Sequence, residues 1–145
     1  MCNCDVEYHW DYVGDQLINK KELNLIIKQA ISDLNFCVDH VALIFVDDAY
    51  LKNLHTKYLN DPTVTDVMTF DLRDEESQDV EIYVSVETAK RQSSELKISV
   101  REELLRYILH GILHIAGYND DNPEDQLKMK KIENDMVKKY SAIIN

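Results

Sequence analysis

Glycine and proline are scarce, with three and two among 145 residues. That leaves no Gly/Pro-rich linker, collagen-like period or low-complexity tract along the chain. No internal repeat is visible either. Nor does any apolar run approach the ~20 residues a membrane-spanning helix needs. The N-terminal "MCNCDVEYHWDYVGDQ" has acids but no basic or apolar signal region, so a cytoplasmic protein is expected. Cysteines number only three, Cys2, Cys4 and Cys37, and an odd count without a signal points to reduced thiols. Cys2 and Cys4 without a second pair make a weak metal site. Positive charge is also lacking: the net charge of -11 excludes bulk coating of nucleic acid, but not a local basic groove.

What is present suits one domain with one core. Hydrophobic residues make up 45% of the chain, enough to build that core. Leu23, Ile26, Ile27, Ala30, Ile31 and Leu34 share a helical face over residues 20–35. "HVALIFV" (40–46) is short, apolar and β-branched, a strand with two buried faces. Asp47 or Asp48 can cap a following helix carrying Leu51, Leu54 and Tyr58. "NDPTVTD" (60–66) is turn chemistry. "VMTF" (67–70) and "EIYVSV" (81–86) read as strands around an acidic loop, 71–80. A helix over 86–96 can use Ser85 as its cap. Ser99 and Glu102 suggest a capping box for the next helix, whose stripe is Leu104, Leu105, Ile108, Leu109, Ile112 and Leu113. Gly117 can end it in a left-handed conformation. Asn122-Pro123-Glu124-Asp125 then starts a final helix to about 141, with Met129, Ile132, Met136 and Tyr140 inward. The order helix, strand, helix, strand, strand, helix, helix, helix predicts a single α+β domain, helices packed on a short mixed sheet.

Two of the three glycines fall in "HGILHIAGYND" (110–120). Residues four apart share a helix face, so His110 and His114 can aim both imidazoles at one ion. A straight helix carries the next turn past that ion. A break at Gly117 lets the chain return, and Asp120, ten residues after His110, lies where a third ligand can reach. Asn119, Asp121 and Asn122 compete for that role. The same spacing occurs in H-E-x-x-H-x-x-G-x-x-H metal hydrolases, with Gly111 in place of their glutamate base and Asp120 in place of their third histidine. Two histidines and a carboxylate form an accepted catalytic zinc set. Zinc held this way is a Lewis acid and draws a nucleophile from water near neutral pH. Without a glutamate at 111, a general base has to come from the metal site itself or from another segment. The competing reading is a buried helix in which two histidines happen to fall four apart. His9, His40 and His55 lack a partner at ligand spacing and read as surface or satisfied core residues.

"HGILHIAGYND" also resembles the H-G-x-L-H-L-x-G-Y-D-H signature of the YbeY family, metal-dependent endoribonucleases of rRNA maturation. "TDVMTF" (65–70) is similar to that family's T-D-V-L-S-F, and "VEIYVS" (80–85) to its G-D-I-x-I-S. The resemblance covers roughly residues 40–135. It implies a zinc site between helices and sheet, held by His110 and His114, with Asp120 at the third position where the family has histidine. It implies single-strand-specific hydrolysis of RNA in 16S rRNA 3′-end maturation and ribosome quality control. The implied partners are rRNA precursor, the small ribosomal subunit and its proteins, and an assembly GTPase. Asp66 matches the acid of the T-D block. Glu81 stands where the family has Asp, and Asn119 likewise. Asp66 and Glu81 are the candidate catalytic groups. Leu59 occupies the place of a family arginine, so phosphate contacts are sought among Lys57, Arg73, Lys90, Arg91 and Arg101. Two other functions fit the same residues: a non-catalytic ribosome assembly factor with structural zinc, and a metalloprotease.

Overall fold

A computed structural model describes residues 3–59 and 65–144. The chain runs β1 (Asp5–Trp10), α1 (Lys20–Asp33), β2 (His40–Val46), α2 (Asp48–Leu59), β3 (Val67–Asp71), β4 (Asp79–Ser85), α3 (Val86–Leu96), α4 (Val100–Ile115) and α5 (Pro123–Ile144). The architecture is α+β, and the sheet is mixed. Its strand order is β1-β2-β4-β3, with β1, β2 and β4 parallel and β3 antiparallel to β4. Trp10 pairs with Phe45 at one edge and Thr69 with Ile82 at the other.

β2 is buried on both faces, as its unbroken apolar run requires. Val41, Leu43 and Phe45 point with Val80, Ile82 and Val84 into the main core, against α1, α4 and α5. Ala42, Ile44 and Val46 point the other way, into a smaller cluster with Met68 and Leu51 of α2. This alternation defines a front face, covered by α4 and its neighbours, and a back face, partly covered by α2.

β1 was not expected. Its Val6, Tyr8 and Trp10 turn to the main core while Glu7 and His9 stay outward, a period-2 pattern hidden in an acidic N-terminal stretch. The acidic loop is also shorter than predicted. β3 extends to Asp71 and β4 begins at Asp79, and the turn between them is closed by Asp74, which accepts from the Glu76 and Ser77 amides. Asp47 is the acid that caps α2, taking the Tyr50 amide at 2.7 Å. Asp48 instead binds Ser85, Thr88 and Arg91 of the α3 start. Ser99 accepts from the Glu102 amide, while the reciprocal capping box is formed by Asn19 and Glu22 on α1. Asn122 caps α5 through the Asp125 amide. The turn predicted from Asn60 to Asp66 lies largely outside the described residues, as does Cys2. Cys4 is a buried free thiol that burial pushes up to about 11, unlike a metal thiolate. Cys37 is disulfide-bonded, so the expectation of three reduced thiols fails there. Among the described residues no helix is long and apolar enough to cross a membrane.

Gly111 sets how closely α4 meets the sheet. A Cβ there would stand 2.9 Å from Thr69 Oγ1 and 3.1 Å from Ile82 Cγ2. Ile82 is fully buried and has nowhere to go. Gly111→Ala should therefore destabilise the fold by about 1–3 kcal/mol, overriding the ~1 kcal/mol that alanine gains in a helix interior. Urea unfolding of the two proteins measures this. An alanine variant as stable as the parent, or more so, would show that α4 does not depend on the contact.

Candidate metal centre and cleft

α4 carries His110 and His114 one turn apart on its exposed flank, while Leu105, Ile108, Leu109 and Ile112 of the same helix fill the core. The two Nε2 atoms lie 3.1 Å apart. The helix ends as the glycine implied. Gly117 takes φ +105, the Tyr118 amide donates to the Leu113 carbonyl and the Gly117 amide to that of His114. This paired closure turns the chain back toward the helix it has left. Asp120 follows, and Gln126 on α5 holds its backbone carbonyl at 3.0 Å. Its Oδ2 comes to 3.9 Å from His114 Nε2.

His110, His114 and Asp120 thus offer two ring nitrogens and a carboxylate oxygen, all within 4.8 Å of one another. Ligand atoms bound tetrahedrally at ~2.0–2.1 Å from zinc stand about 3.4 Å apart. The separations above bracket that value, so the donor set fits a divalent ion. Asp121, the competing acid, is not part of the group.

Glu133 of α5 orients the first histidine. It is 5% exposed, and its Oε1 accepts from His110 Nδ1 at 2.9 Å. That bond keeps the Nδ1 proton in place and leaves Nε2 bare toward His114. Arg106 holds the other Glu133 oxygen at 3.0 Å and also binds Asn134. Burial alone would raise the Glu133 carboxyl, but His110 and Arg106 outweigh it and hold it below its usual range. Burial works against a charged His110, and Glu133 more than compensates, so that imidazole is raised. Sequence reading missed Glu133. Its signal was an acid four residues after Met129 on the inward stripe of α5, where the pattern was read through Ile132 instead.

Beside this centre runs a cleft of about 550 Å³, floored by α4 and bounded by α3, α5 and the start of β3. Asp66 lines it, fixed by its backbone carbonyl, which accepts from the Ser85 amide at 3.0 Å. Burial raises the Asp66 carboxyl, and His110 nearby and the Asp66 and Val67 amides pull it back only in part. The cleft is acidic, with Asp66, Glu102, Glu103, Asp120 and Glu133 against Arg106 and Lys130.

The other sequence candidates lie elsewhere. Glu81 points to the back face, its Oε1 3.5 Å from the Tyr83 hydroxyl, and does not line the cleft. Lys57 and Leu59 are on exposed positions of α2, and Lys57 lies over the Tyr58 ring. Arg73 is held by Asp71 and donates to the Ile115 carbonyl at the end of α4. Arg91 is spent on Asp48 and Thr88. Lys90 reaches Tyr12, and Arg101 ties the α5 end to Leu17 and Glu22. The cations that do face the cleft, Arg106 and Lys130, were not singled out.

Comparison with known proteins places these features in a family. The family model described as "Endoribonuclease YbeY" matches residues 10–141. A Flavobacterium psychrophilum protein of that name is 37% identical over 97 residues, covering 67% of this chain and 69% of its own. An Amoebophilus asiaticus protein, also named Endoribonuclease YbeY, is 31% identical over 134 residues, covering 92% and 91%. A solution structure of a Thermotoga maritima protein superposes with a TM-score of 0.64 at 26% identity, covering 95% of this chain and 93% of that one.

The role of Glu133 is open to direct measurement. Glu133→Gln keeps the shape and removes the charge, and it should weaken zinc binding by about 10- to 100-fold. Competition against a chromophoric chelator reads the affinity, and the melting temperature of the metal-free protein controls for folding. Unchanged zinc affinity would reduce Glu133 to a helix-packing residue.

Proposed function

The chain belongs to the endoribonuclease YbeY family, and from that premise we propose that it is a single-strand-specific, zinc-dependent endoribonuclease, residues 1–145 forming one such domain. The observation that carries this reading is the His110, His114 and Asp120 group standing at the cleft beside Asp66. One zinc ion held there would supply Lewis acidity at the scissile phosphate and make water a nucleophile near neutral pH. Asp120, a carboxylate in a third position that the resemblance gives to histidine, lowers the net charge of that site by one.

The chain's own groups supply the rest. His110 is kept in one tautomer and one orientation by Glu133, and His114 is set one helical turn away. Asp66 is the candidate proton carrier. Its carboxyl is raised by burial, which moves it toward the range a general base needs. Arg106 is held by Glu133 and Asn134, so the more exposed Lys130 is the cation placed to hold the RNA backbone in the cleft, a role first sought at Lys57, Arg73 and Arg91. Glu81, on the back face, has no route to the same reaction from where it stands.

The biological setting follows from the resemblance. The substrate proposed is the 3′ end of 16S rRNA precursor, in maturation and quality control of the small subunit. The proposed partners are small-subunit proteins and an assembly GTPase, in the cytoplasm. An acidic protein that holds RNA weakly alone suits a partner that positions the RNA. That acidity also favours a second reading, an assembly factor whose zinc is structural. The metalloprotease reading loses ground at Gly111, where Thr69 and Ile82 leave no space for a glutamate base.

Zinc-loaded protein should cut a single-stranded rRNA precursor internally. His114→Ala should abolish the cut, and Asp66→Asn should slow it by about 10²- to 10⁴-fold. Precursor left intact by the metal-loaded protein, together with full cellular complementation by Asp66→Asn and unfolding on chelation, would establish the structural-zinc reading instead.

A further inference from the structure

The metal centre uses one end of the cleft, and the other end has its own chemistry. Glu103 lies seven residues before His110 on α4, about 10 Å along the helix. It is 1% exposed and lines the cleft. Its Oε1 is buried with no hydrogen-bond partner, and the nearest cation, Arg106, keeps its Nε 3.8 Å away. Its Oε2 is hardly better supplied. The Tyr107 hydroxyl is 3.3 Å from it but only 2.7 Å from Gln92 Oε1, and a hydroxyl has one proton to give. A carboxylate left so short of donors loses its hydration without replacement and favours any ligand that brings donors. Burial accordingly pushes its pKa up. Among the residues lining the same cleft are the apolar Val67, Ile98 and Leu96, the last 60% exposed. Apolar walls with a few convergent polar groups are the pattern of a small-molecule pocket.

We propose that this end of the cleft is a nucleobase pocket that selects guanine, whose N1–H and N2–H donors would fill the two oxygens of Glu103 after the side chains that cover this carboxylate move aside. The inference rests on the RNA-hydrolase reading for the identity of its ligand. Guanine is the base that presents two adjacent N–H donors from its ring and amino nitrogens on one edge, and single-stranded RNA is read on such edges. Gln92, with its oxygen turned to Tyr107, has its amide N–H₂ to offer the neighbouring O6. Leu96 and Ile98 provide apolar contact for the ring. The spacing lets a base sit there while its own or the adjacent phosphate reaches the metal end. The enzyme would then cut beside guanine in preference to other bases.

The test is binding of 5′-GMP, 5′-AMP, 5′-CMP and 5′-UMP to the zinc-loaded full chain, followed by NMR titration. GMP should bind at least about tenfold more tightly than the others. Glu103→Gln, which keeps the volume, should erase that preference without erasing binding at the metal. Should that variant fold poorly, Leu96→Ser at the exposed mouth provides the second reading, with affinity for GMP falling several-fold. Equal affinity for the four nucleotides, a preference that survives Glu103→Gln, or GMP affinity untouched by Leu96→Ser would overturn the proposal. RNA cleavage without base preference in binding would remove the pocket and leave the hydrolase. GMP preference in a protein that never cuts RNA would do the reverse.

Discussion

The close approach of α4 to the sheet at Gly111 is the contact on which the site depends. One helix has to do two things. Its Leu104, Leu105, Ile108 and Leu109 close the core over β2 and β4, and its flank carries the ligand-type residues. A helix standing off the sheet by one methyl group would shift His110 relative to both Asp66 at the start of β3 and Glu133 on α5. Glycine at 111 removes that methyl group. Gly117 then ends the helix where Asp120 can return to it. The two glycines thus fix the depth and the end of one element, and the three donor groups meet as a consequence.

Electrostatics gives the cleft its order of events. Five acids face two cations, so phosphate would be repelled from most of its surface before an ion binds. A divalent cation at the histidine end reverses that sign locally. Elsewhere the acids are useful as acceptors rather than as obstacles, because base edges carry N–H donors while phosphates do not. The same arrangement explains why the overall charge of -11 does not oppose an RNA-directed role. Attraction is concentrated at one point, and its strength should fall with salt.

The sequence made α4 and its termination legible because helical spacing and a left-handed glycine leave strong local signals. Asp120 was readable by counting along the chain from His110. The buried acids were not. An amphipathic pattern assigns acids to solvent; Glu133 breaks that rule through His110 and Arg106, which are distant in sequence, and Glu103 is buried on α4 with one oxygen unpartnered and only Tyr107, one turn on, beside the other. The cationic candidates failed for a related reason. Lys57, Arg73 and Arg91 look available in a sequence, yet Arg73 is held by neighbouring Asp71 and Arg91 by Asp48, brought close by folding. β1 stayed hidden because its alternation is short and half acidic, and only pairing with β2 makes it a strand.

The central claim is that His110, His114 and Asp120 hold one metal ion. Elemental analysis of protein purified without a nickel column, with His110→Ala and Asp120→Ala alongside, tests it most directly. About one zinc per chain in the parent and none in either variant is the expected result. A parent that stays metal-free after zinc is offered back, or variants that both keep a full equivalent, would contradict it.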